Sequence, residues 1–211
     1  HRIEEVASPI AFRQDPSLVW EFYLMRRKQA LECEPNRAHH ALAALERWME
    51  AGGGRLDLVT QNVDGLHQKA GSKKVIEIHG NMREAVCLSC GTVETLDIEQ
   101  TNSIPTCKHC RSILKPNSIL FGETLPEKAV KAALKALKGC DVLLVVGTSH
   151  VVTTAKAIMD MAGLKNTTIV EINPERTIMA DEIGPQQYIH IQEPADQALS
   201  FTLGHIEQHS S

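Results

Sequence analysis

The chain has 211 residues, a formal net charge of −4 at pH 7 and 43% hydrophobic residues, few of them aromatic. This length is enough for one large domain, or for one domain with a small module, built mainly on aliphatic side chains. The negative charge argues against a dedicated nucleic-acid binder, and no apolar run is long enough to cross a bilayer. The first residues lack the order of a signal peptide. We therefore expect a monomeric cytoplasmic protein without membrane or direct nucleic-acid binding.

The first part of the chain is predicted to be helical after an irregular start at residues 1–14. Asp15-Pro16 is a typical helix start, with an acidic N-cap and proline in the first turn, and apolar residues then recur at helical spacing to Leu31. A second helix is predicted after Asn36. It ends at Gly52-Gly53-Gly54, where glycine supplies the left-handed cap.

From residue 56 the pattern alternates between short apolar strands and helices. Strands are predicted at 56–60, 75–78, 141–146, 168–172 and 188–191, and helices at 64–70, 125–138, 153–161 and from 194 onward. The segment 141–146, Asp-Val-Leu-Leu-Val-Val, has the clearest pattern of a core strand. This alternation predicts an α/β fold with a doubly wound, Rossmann-like parallel sheet.

Two cysteine pairs give the strongest chemical signal in the sequence. Cys87-Leu-Ser-Cys90 and Cys107-Lys-His-Cys110 have the spacing of a four-thiolate zinc site. Four thiolates close the tetrahedron, which indicates a structural ion, because a catalytic zinc needs an open position. A redox CxxC motif would need only one pair, and disulfides would favour a secreted chain. The zinc site is the preferred interpretation.

Polar or small residues follow four of the predicted strands, at the edge of the sheet where ligands bind in such folds. Each has a simpler explanation as a turn or as a structural histidine. Their coincidence at one edge favours a ligand site, and they are Gln61, Asn62 and Asp64; His79 before Gly80; Gly147, Thr148 and Ser149; and Asn173.

The order Thr60-Gln-Asn-Val-Asp64, Val75-Ile-Glu-Ile-His-Gly80 and the two cysteine pairs resembles the sirtuins, the Sir2 family of NAD-dependent protein deacylases. The resemblance implies that the cofactors are NAD and structural zinc, and that the partners are acylated-lysine proteins. It implies that His79 is the general base of a reaction that releases nicotinamide and O-acyl-ADP-ribose.

The same resemblance assigns further residues to NAD and to the peptide. Asn62 and Asp64 would surround nicotinamide, Gln61 and Asn173 would contact the riboses, and Gly147-Thr148-Ser149 would contact the phosphates. Phe121-Gly122-Glu123 resembles the segment that pairs with the substrate peptide as an added strand.

Tyr23 and Arg26 stand three residues apart on one face of the first predicted long helix. The surrounding segment resembles the sirtuin subgroup that prefers succinyl- and malonyl-lysine, where such a pair binds the distal carboxylate. A guanidinium binds carboxylate through two hydrogen bonds, and tyrosine adds a hydroxyl donor. The alternative is a half-buried tyrosine beside a solvated arginine. The expected activity is desuccinylation and demalonylation, with deacetylation retained.

Family members begin their nucleotide fold with a strand, a Gly-Ala-Gly-Ile-Ser turn and a loop bearing an arginine. The resemblance here starts after that segment and covers about Val6 to Leu203. Because this turn normally approaches the pyrophosphate most closely, we expect the polypeptide to be an incomplete copy that binds NAD weakly.

Three parts of the chain are expected to have separate roles. Residues 1–50 form the helical part of the small module and the lead-in, residues 83–115 form the zinc-binding module, and residues 55–82 with 116–205 form the Rossmann-like domain. The alternative function is a zinc-stabilised peptide-binding module that has lost NAD. Release of nicotinamide from NAD with an acyl-lysine peptide would separate the two.

Overall fold

The computed structural model describes residues 3–96, 104–148, 153–164, 166–175, 177 and 187–209. The chain forms two compact units, each assembled from three separate segments. The first unit contains residues His1–Glu34, Thr60–Leu66 and Glu77–Pro126, and the second contains Pro35–Val59, His67–Ile76 and Glu127–Ser211. Among the described residues, no helix is long and apolar enough to span a bilayer.

The first unit begins with three helices: α1 (Ile3–Val6), α2 (Pro9–Gln14) and α3 (Pro16–Glu32). The expectation of irregular structure at residues 1–14 is wrong for the described residues from Ile3 onward. Ser8 caps α2, since its Oγ accepts the Ala11 N–H at 3.2 Å and Pro9 takes the first turn. The predicted start of α3 is confirmed, because the Asp15 carboxylate accepts the Leu18 N–H at 3.1 Å.

A three-stranded antiparallel sheet completes the first unit. Its strands are β3 (Gly80–Cys87), β4 (Val93–Thr95) and β5 (Leu114–Ser118), with β3 in the middle. The buried face of α3 packs against it, and the indole N–H of Trp20 donates to the Leu114 carbonyl at 2.8 Å. This bond satisfies a buried donor and fixes the helix on the sheet.

The second unit contains a three-stranded parallel sheet of β6 (Val142–Val146), β7 (Thr168–Ile172) and β8 (Tyr188–Ile191), with β7 in the middle. Its helices are α4 (Arg37–Ala51), α6 (Glu127–Leu137), α7 (Thr153–Ala162) and α8 (Ala195–His209). Ala38 and Ala41 of α4 share a buried cluster with Ile172 and with Leu199 of α8.

The predicted strand at 141–146 exists, but it is not central in the described part of the sheet. Strand β6 pairs only with β7 among the described strands, and Val142 is 54% exposed. An apolar run indicates that the two faces of a strand are covered, but it does not show how many strands pair with its edges. The sequence pattern therefore could not predict whether this strand is central.

A two-stranded sheet, β1 (Leu58–Thr60) with β2 (Val75–Glu77), contains two of the points where the chain passes between units. The Leu58 N–H donates to the Lys74 carbonyl at 2.9 Å, and the Ile78 N–H donates to the Thr60 carbonyl at 3.0 Å. Later residues of one strand therefore face later residues of the other, as in a parallel pair. The short helix α5 (Leu66–Lys69) lies between these strands in the chain.

The predicted three-part division does not coincide with the compact units. Helix α4 belongs with the parallel sheet, and residues 116–126 belong with the zinc-module sheet. The assignment of the three parts as domains stays a prediction.

Candidate active site and metal centre

The four predicted zinc ligands come together at one end of the antiparallel sheet. Their sulfurs all lie within 4.8 Å of one another, with Cys87–Cys110 at 3.4 Å and Cys90–Cys107 and Cys90–Cys110 at 3.6 Å. All four cysteines are free, and these separations are far longer than the roughly 2.05 Å of a disulfide.

Two matching turns present the thiols. In each, the N–H four residues after the first cysteine of the pair donates back to that cysteine's carbonyl at 2.9 Å, from Gly91 to Cys87 and from Arg111 to Cys107. Both donors have positive φ, 74° at Gly91 and 65° at Arg111. Arg111 holds a backbone conformation that is rare outside glycine. The repeated turn points both thiols of each pair at one centre.

The cluster fits zinc. A tetrahedral ion with Zn–S bonds of about 2.3 Å would hold its sulfurs about 3.8 Å apart, close to the separations observed. Hydrogen bonds with Ser112 lower the pKa of Cys110 to about 6. For Cys107 the backbone N–H of Cys110 lowers the pKa, but burial and the sulfurs of Cys90 and Cys110 outweigh it and raise the pKa to about 12. Thiols this close ionise together only beside a cation, which is the condition for a thiolate metal site.

His79 lies in the turn between β2 and β3, where its surroundings hold it on both sides. Its carbonyl accepts the Ile119 N–H at 2.9 Å, and the preceding residue, Ile78, is fully buried. Its Nδ1 lies 3.1 Å from the Gln61 carbonyl oxygen. Because a carbonyl only accepts hydrogen bonds, this contact assigns the proton to Nδ1 and leaves the Nε2 lone pair available as a base.

The segment Gln61–Gly65 follows β1 and lies in the same compact unit as His79. The Asn62 N–H donates to Thr60 Oγ1 at 3.0 Å, and Asp64 Oδ1 accepts the Leu66 N–H at 2.9 Å. The Met82 N–H donates to the Val63 carbonyl at 3.0 Å. Asn62 and Asp64 are thus built into a defined turn, as the local interpretation expected, and their contact with nicotinamide stays a prediction.

The second unit holds the other predicted NAD residues. Asn173 Nδ2 donates to the Thr148 carbonyl at 2.6 Å, and the Gly147 N–H donates to the Ile172 carbonyl at 2.9 Å. Asn173 Oδ1 also accepts the Glu175 N–H at 3.3 Å. This bond forms an Asx turn, which is the simpler explanation for an asparagine at the end of a strand. The ends of β6 and β7 are therefore tied together. Ser149 lies outside the described residues.

Tyr23, Arg26 and Glu123 form one electrostatic group in the first unit. Tyr23 is 8% exposed, and Arg26 is exposed at the next turn of α3. Burial, and then the carboxylate of Glu123, raise the pKa of Tyr23 to about 12, although the Arg26 guanidinium opposes them. The Tyr23 hydroxyl therefore stays protonated at physiological pH and keeps its donor hydrogen.

Lys115 is a component that sequence reasoning missed. Its side chain is 6% exposed, and its Nζ lies 3.0 Å from Glu123 Oε2 and donates to the Ser118 carbonyl at 2.8 Å. Burial lowers its pKa, and Glu123 opposes that shift. A lysine eight residues before a glutamate carries no pattern that predicts the pair.

Phe121, Gly122 and Glu123 form a turn, with Gly122 at φ +87° and Phe121 53% exposed. The Phe121 N–H donates to the Ala7 carbonyl at 2.8 Å, and the Glu123 N–H donates to the Leu120 carbonyl at 2.9 Å. These two donors are engaged within the chain. Pairing with a peptide would therefore use the other backbone groups of the segment, and it stays a prediction.

Comparison with known proteins identifies the family to which a chain with this fold and these residues belongs. A sequence model of the Sir2 family matches residues 1–154. The "NAD-dependent protein deacylase" of Pyrococcus furiosus is 46% identical over 181 residues, which cover 83% of this chain and 71% of that protein. The chain belongs to the Sir2 family and is an enzyme of the sirtuin type.

Two solved structures are similar over nearly the whole chain. A Sir2 homologue in complex with NAD has a TM-score of 0.86 at 34% identity and covers 100% of this chain and 80% of that one. The structure of Sir2Tm bound to a propionylated peptide has a TM-score of 0.78 at 29% identity and covers 95% of this chain and 83% of that one. The predicted fold class and the predicted cofactors, NAD and structural zinc, are confirmed. The non-enzymatic alternative is not favoured.

Proposed function

We propose that this chain, an NAD-dependent protein deacylase, removes acidic acyl groups such as succinyl and malonyl from protein lysines and retains deacetylation. The main supporting observation is that Tyr23 is buried and that the charges of both Arg26 and Glu123 shift the pKa of its hydroxyl. Charged side chains beside a buried phenol are suited to a polar acyl end and are poorly suited to a purely apolar one.

The charge balance of this group supports an anionic ligand. Glu123 would repel a second carboxylate, but the Lys115 ammonium lies 3.0 Å from it and offsets its charge. Arg26 then contributes the remaining positive charge, and Tyr23 contributes a neutral hydroxyl donor. A guanidinium and a hydroxyl on one helix face can together bind a carboxylate.

His79 carries the proposed chemistry. NAD, when bound, would supply the ribose carbon that accepts the acyl oxygen as nicotinamide leaves; with one water added, the amide C–N bond would break, the lysine amine would be released and the acyl group would end on ADP-ribose. His79 Nε2 would take a proton from a ribose hydroxyl, while the Gln61 carbonyl holds the Nδ1 proton at 3.1 Å and fixes the tautomer. General-base catalysis of this kind contributes roughly 100- to 10,000-fold.

Acyl-lysine segments of proteins are the proposed partners, and a relative bound to a propionylated peptide supports this. Phe121–Glu123 is the segment proposed to pair with them. The assignments of Gln61, Asn62, Asp64, Gly147, Thr148, Ser149 and Asn173 to NAD belong to the same proposal. A monomeric state, a cytoplasmic location and the absence of nucleic-acid binding stay predictions.

The role of His79 is tested by His79→Ala. We expect the variant to fold with an unchanged melting temperature and to lose deacylation by at least about 100-fold, as removal of a general base predicts. The measurement is formation of the deacylated peptide from an acyl-lysine peptide with NAD, because nicotinamide leaves before the step assigned to His79. Wild-type turnover in a folded His79→Ala variant would remove His79 from the mechanism.

The acyl preference is tested by Arg26→Met, with Lys28→Met as the matched control because Lys28 is an exposed cation on the same helix. We expect kcat/KM for a succinyl peptide to fall at least about tenfold, the size of a lost charged hydrogen bond of about 1.5–3 kcal/mol. The acetyl version of the same peptide should change little. Equal losses on both peptides would reject the carboxylate role.

A further inference from the structure

A polar network surrounds the turn that follows His79. Glu77 precedes the histidine on β2, and Asn81 follows it on β3. Asn81 is buried, and its Nδ2 donates to Glu77 Oε2 at 3.2 Å and to Glu84 Oε2 at 3.0 Å. Asn117 of β5 donates to the same Glu84 oxygen at 2.8 Å. The network therefore connects β2, β3 and β5 at the point where the chain reverses.

Arg83 extends this network to the other predicted site segment. Its Nη2 lies 2.8 Å and 2.9 Å from the two carboxylate oxygens of Glu77, and its own N–H donates to Asn81 Oδ1 at 3.0 Å. Both contacts to Glu77 come from the one nitrogen Nη2, and these charge-assisted bonds hold that end of the guanidinium at the carboxylate.

The guanidinium held in this way lies against Gly65. A Cβ built on Gly65 would lie 2.3 Å from Arg83 Nη1, and Gly65 has φ +78°. Any larger side chain at this position would displace the arginine. The adjacent backbone bond, from the Met82 N–H to the Val63 carbonyl at 3.0 Å, holds the same segment from the same strand.

The segment held by Arg83 supplies three parts of the proposed site. It carries Asn62 and Asp64, and its Gln61 carbonyl accepts the His79 Nδ1–H. We infer that Arg83 is a positioning residue: its guanidinium, oriented by Glu77, packs on Gly65 and holds the Gln61–Gly65 segment in the geometry that receives the nicotinamide end of NAD. This inference rests on the role proposed above for that segment.

A simple surface ion pair would be a weaker explanation. Arg83 is 42% exposed, but Glu77 is only 15% exposed and shares its carboxylate with the buried Asn81. Exposed pairs contribute little to stability, so a role limited to charge would leave both activity and melting temperature unchanged. The contact with Gly65 couples the arginine to the site directly.

The experiment compares Arg83→Met with wild type and with Arg55→Met. Arg55 makes an ion pair with Asp57 at 2.6 Å and serves as the control for losing an exposed arginine. For Arg83→Met we expect KM for NAD to rise, or kcat/KM for NAD to fall, by at least about tenfold, since a displacement of about 1 Å can cost on the order of a hundredfold. KM for the acyl peptide should stay near the wild-type value. In a companion variant, Arg83→Ala, the space beside Gly65 is left open, and added guanidinium ion at millimolar concentration should restore part of the lost activity.

Three outcomes would overturn the inference. One is Arg83→Met with unchanged kinetics for NAD. Another is a loss that follows the melting temperature, affects NAD and peptide equally and is not rescued by guanidinium in Arg83→Ala, because Arg83 would then only stabilise the fold. The third outcome comes from Asn62→Ala, which separates this inference from the proposed function.

If Asn62→Ala leaves KM for NAD unchanged, the proposed role of the Gln61–Gly65 segment is wrong, and this inference is wrong with it. If Asn62→Ala raises KM for NAD and Arg83→Met does not, only this inference is wrong.

Discussion

Gly80 shows how strictly a single residue is constrained beside the proposed base. Its φ is +75°, and a Cβ at this position would lie 1.9 Å from the Asn117 carbonyl oxygen. That oxygen belongs to the backbone of β5, which cannot move aside as a flexible side chain would. The residue that follows His79 must therefore lack a side chain.

Gly80→Ala should consequently destabilise the protein through both conformation and overlap. Gly53→Ala is a matched control, since Gly53 has φ +78° and nothing within 4 Å of its Cβ position. We expect Gly53→Ala to cost about 1–2 kcal/mol and Gly80→Ala at least about 1 kcal/mol more, the typical cost of overpacking. The free energies of unfolding in denaturant would measure both. Equal losses in the two variants would show that β5 yields to the added methyl group.

The residues that sequence reasoning found and missed differ in the kind of signal they carry. The cysteines and His79 stand in short motifs whose spacing implies chemistry. Lys115 pairs with Glu123 in the turn after β5, and Arg83 pairs with Glu77 on another strand and lies against the backbone at Gly65. Which charged residues meet in this way depends on how strands pair, and local pattern does not contain that information.

At the scale of elements, the zinc cluster belongs to the main core of its unit. Cys87 and Cys107 are fully buried and lie in the same cluster as Trp20 of α3 and Leu114 of β5. The metal therefore supports the packing of α3, the helix that presents Tyr23 and Arg26. Loss of the ion is expected to disturb the packing of α3 as well as the sheet.

Cys107→Ser should lower the melting temperature and the zinc content together, because formation of such a site is coupled to folding. Cys33→Ser is the control, since Cys33 is exposed and outside the cluster. A strong chelator should lower the melting temperature of wild type to that of Cys107→Ser and leave the variant unaffected. Full stability in a Cys107→Ser protein that contains no zinc by metal analysis would contradict this role.

The starts of two helices were predicted correctly from their capping residues. Asp15 and Asn36 start α3 and α4 as predicted, and Asn36 accepts the His39 N–H at 3.2 Å. Helix α2 was missed, although Ser8-Pro9 carries a similar start signal, because six residues are too few for apolar periodicity to be visible.

At the scale of the whole molecule, the sequence predicted the α/β class and the family but not the grouping of segments. Helix α4 follows α3 in the chain, and the two belong to different units. Both helices have an apolar face that becomes buried, and the pattern of that face does not predict which sheet it packs against. Composition and periodicity describe a segment by itself, whereas a unit is defined by contacts between distant segments.

The interleaving of the units sets an order of assembly during synthesis. The last segment of the first unit ends at Pro126, whereas α4 in the second unit packs on Leu199 of α8, which is synthesised later. Proteins are synthesised at about 5–20 residues per second, and N-terminal parts fold first. We therefore expect the zinc-bearing unit to fold during synthesis, before Leu199 is available to cover the apolar face of α4.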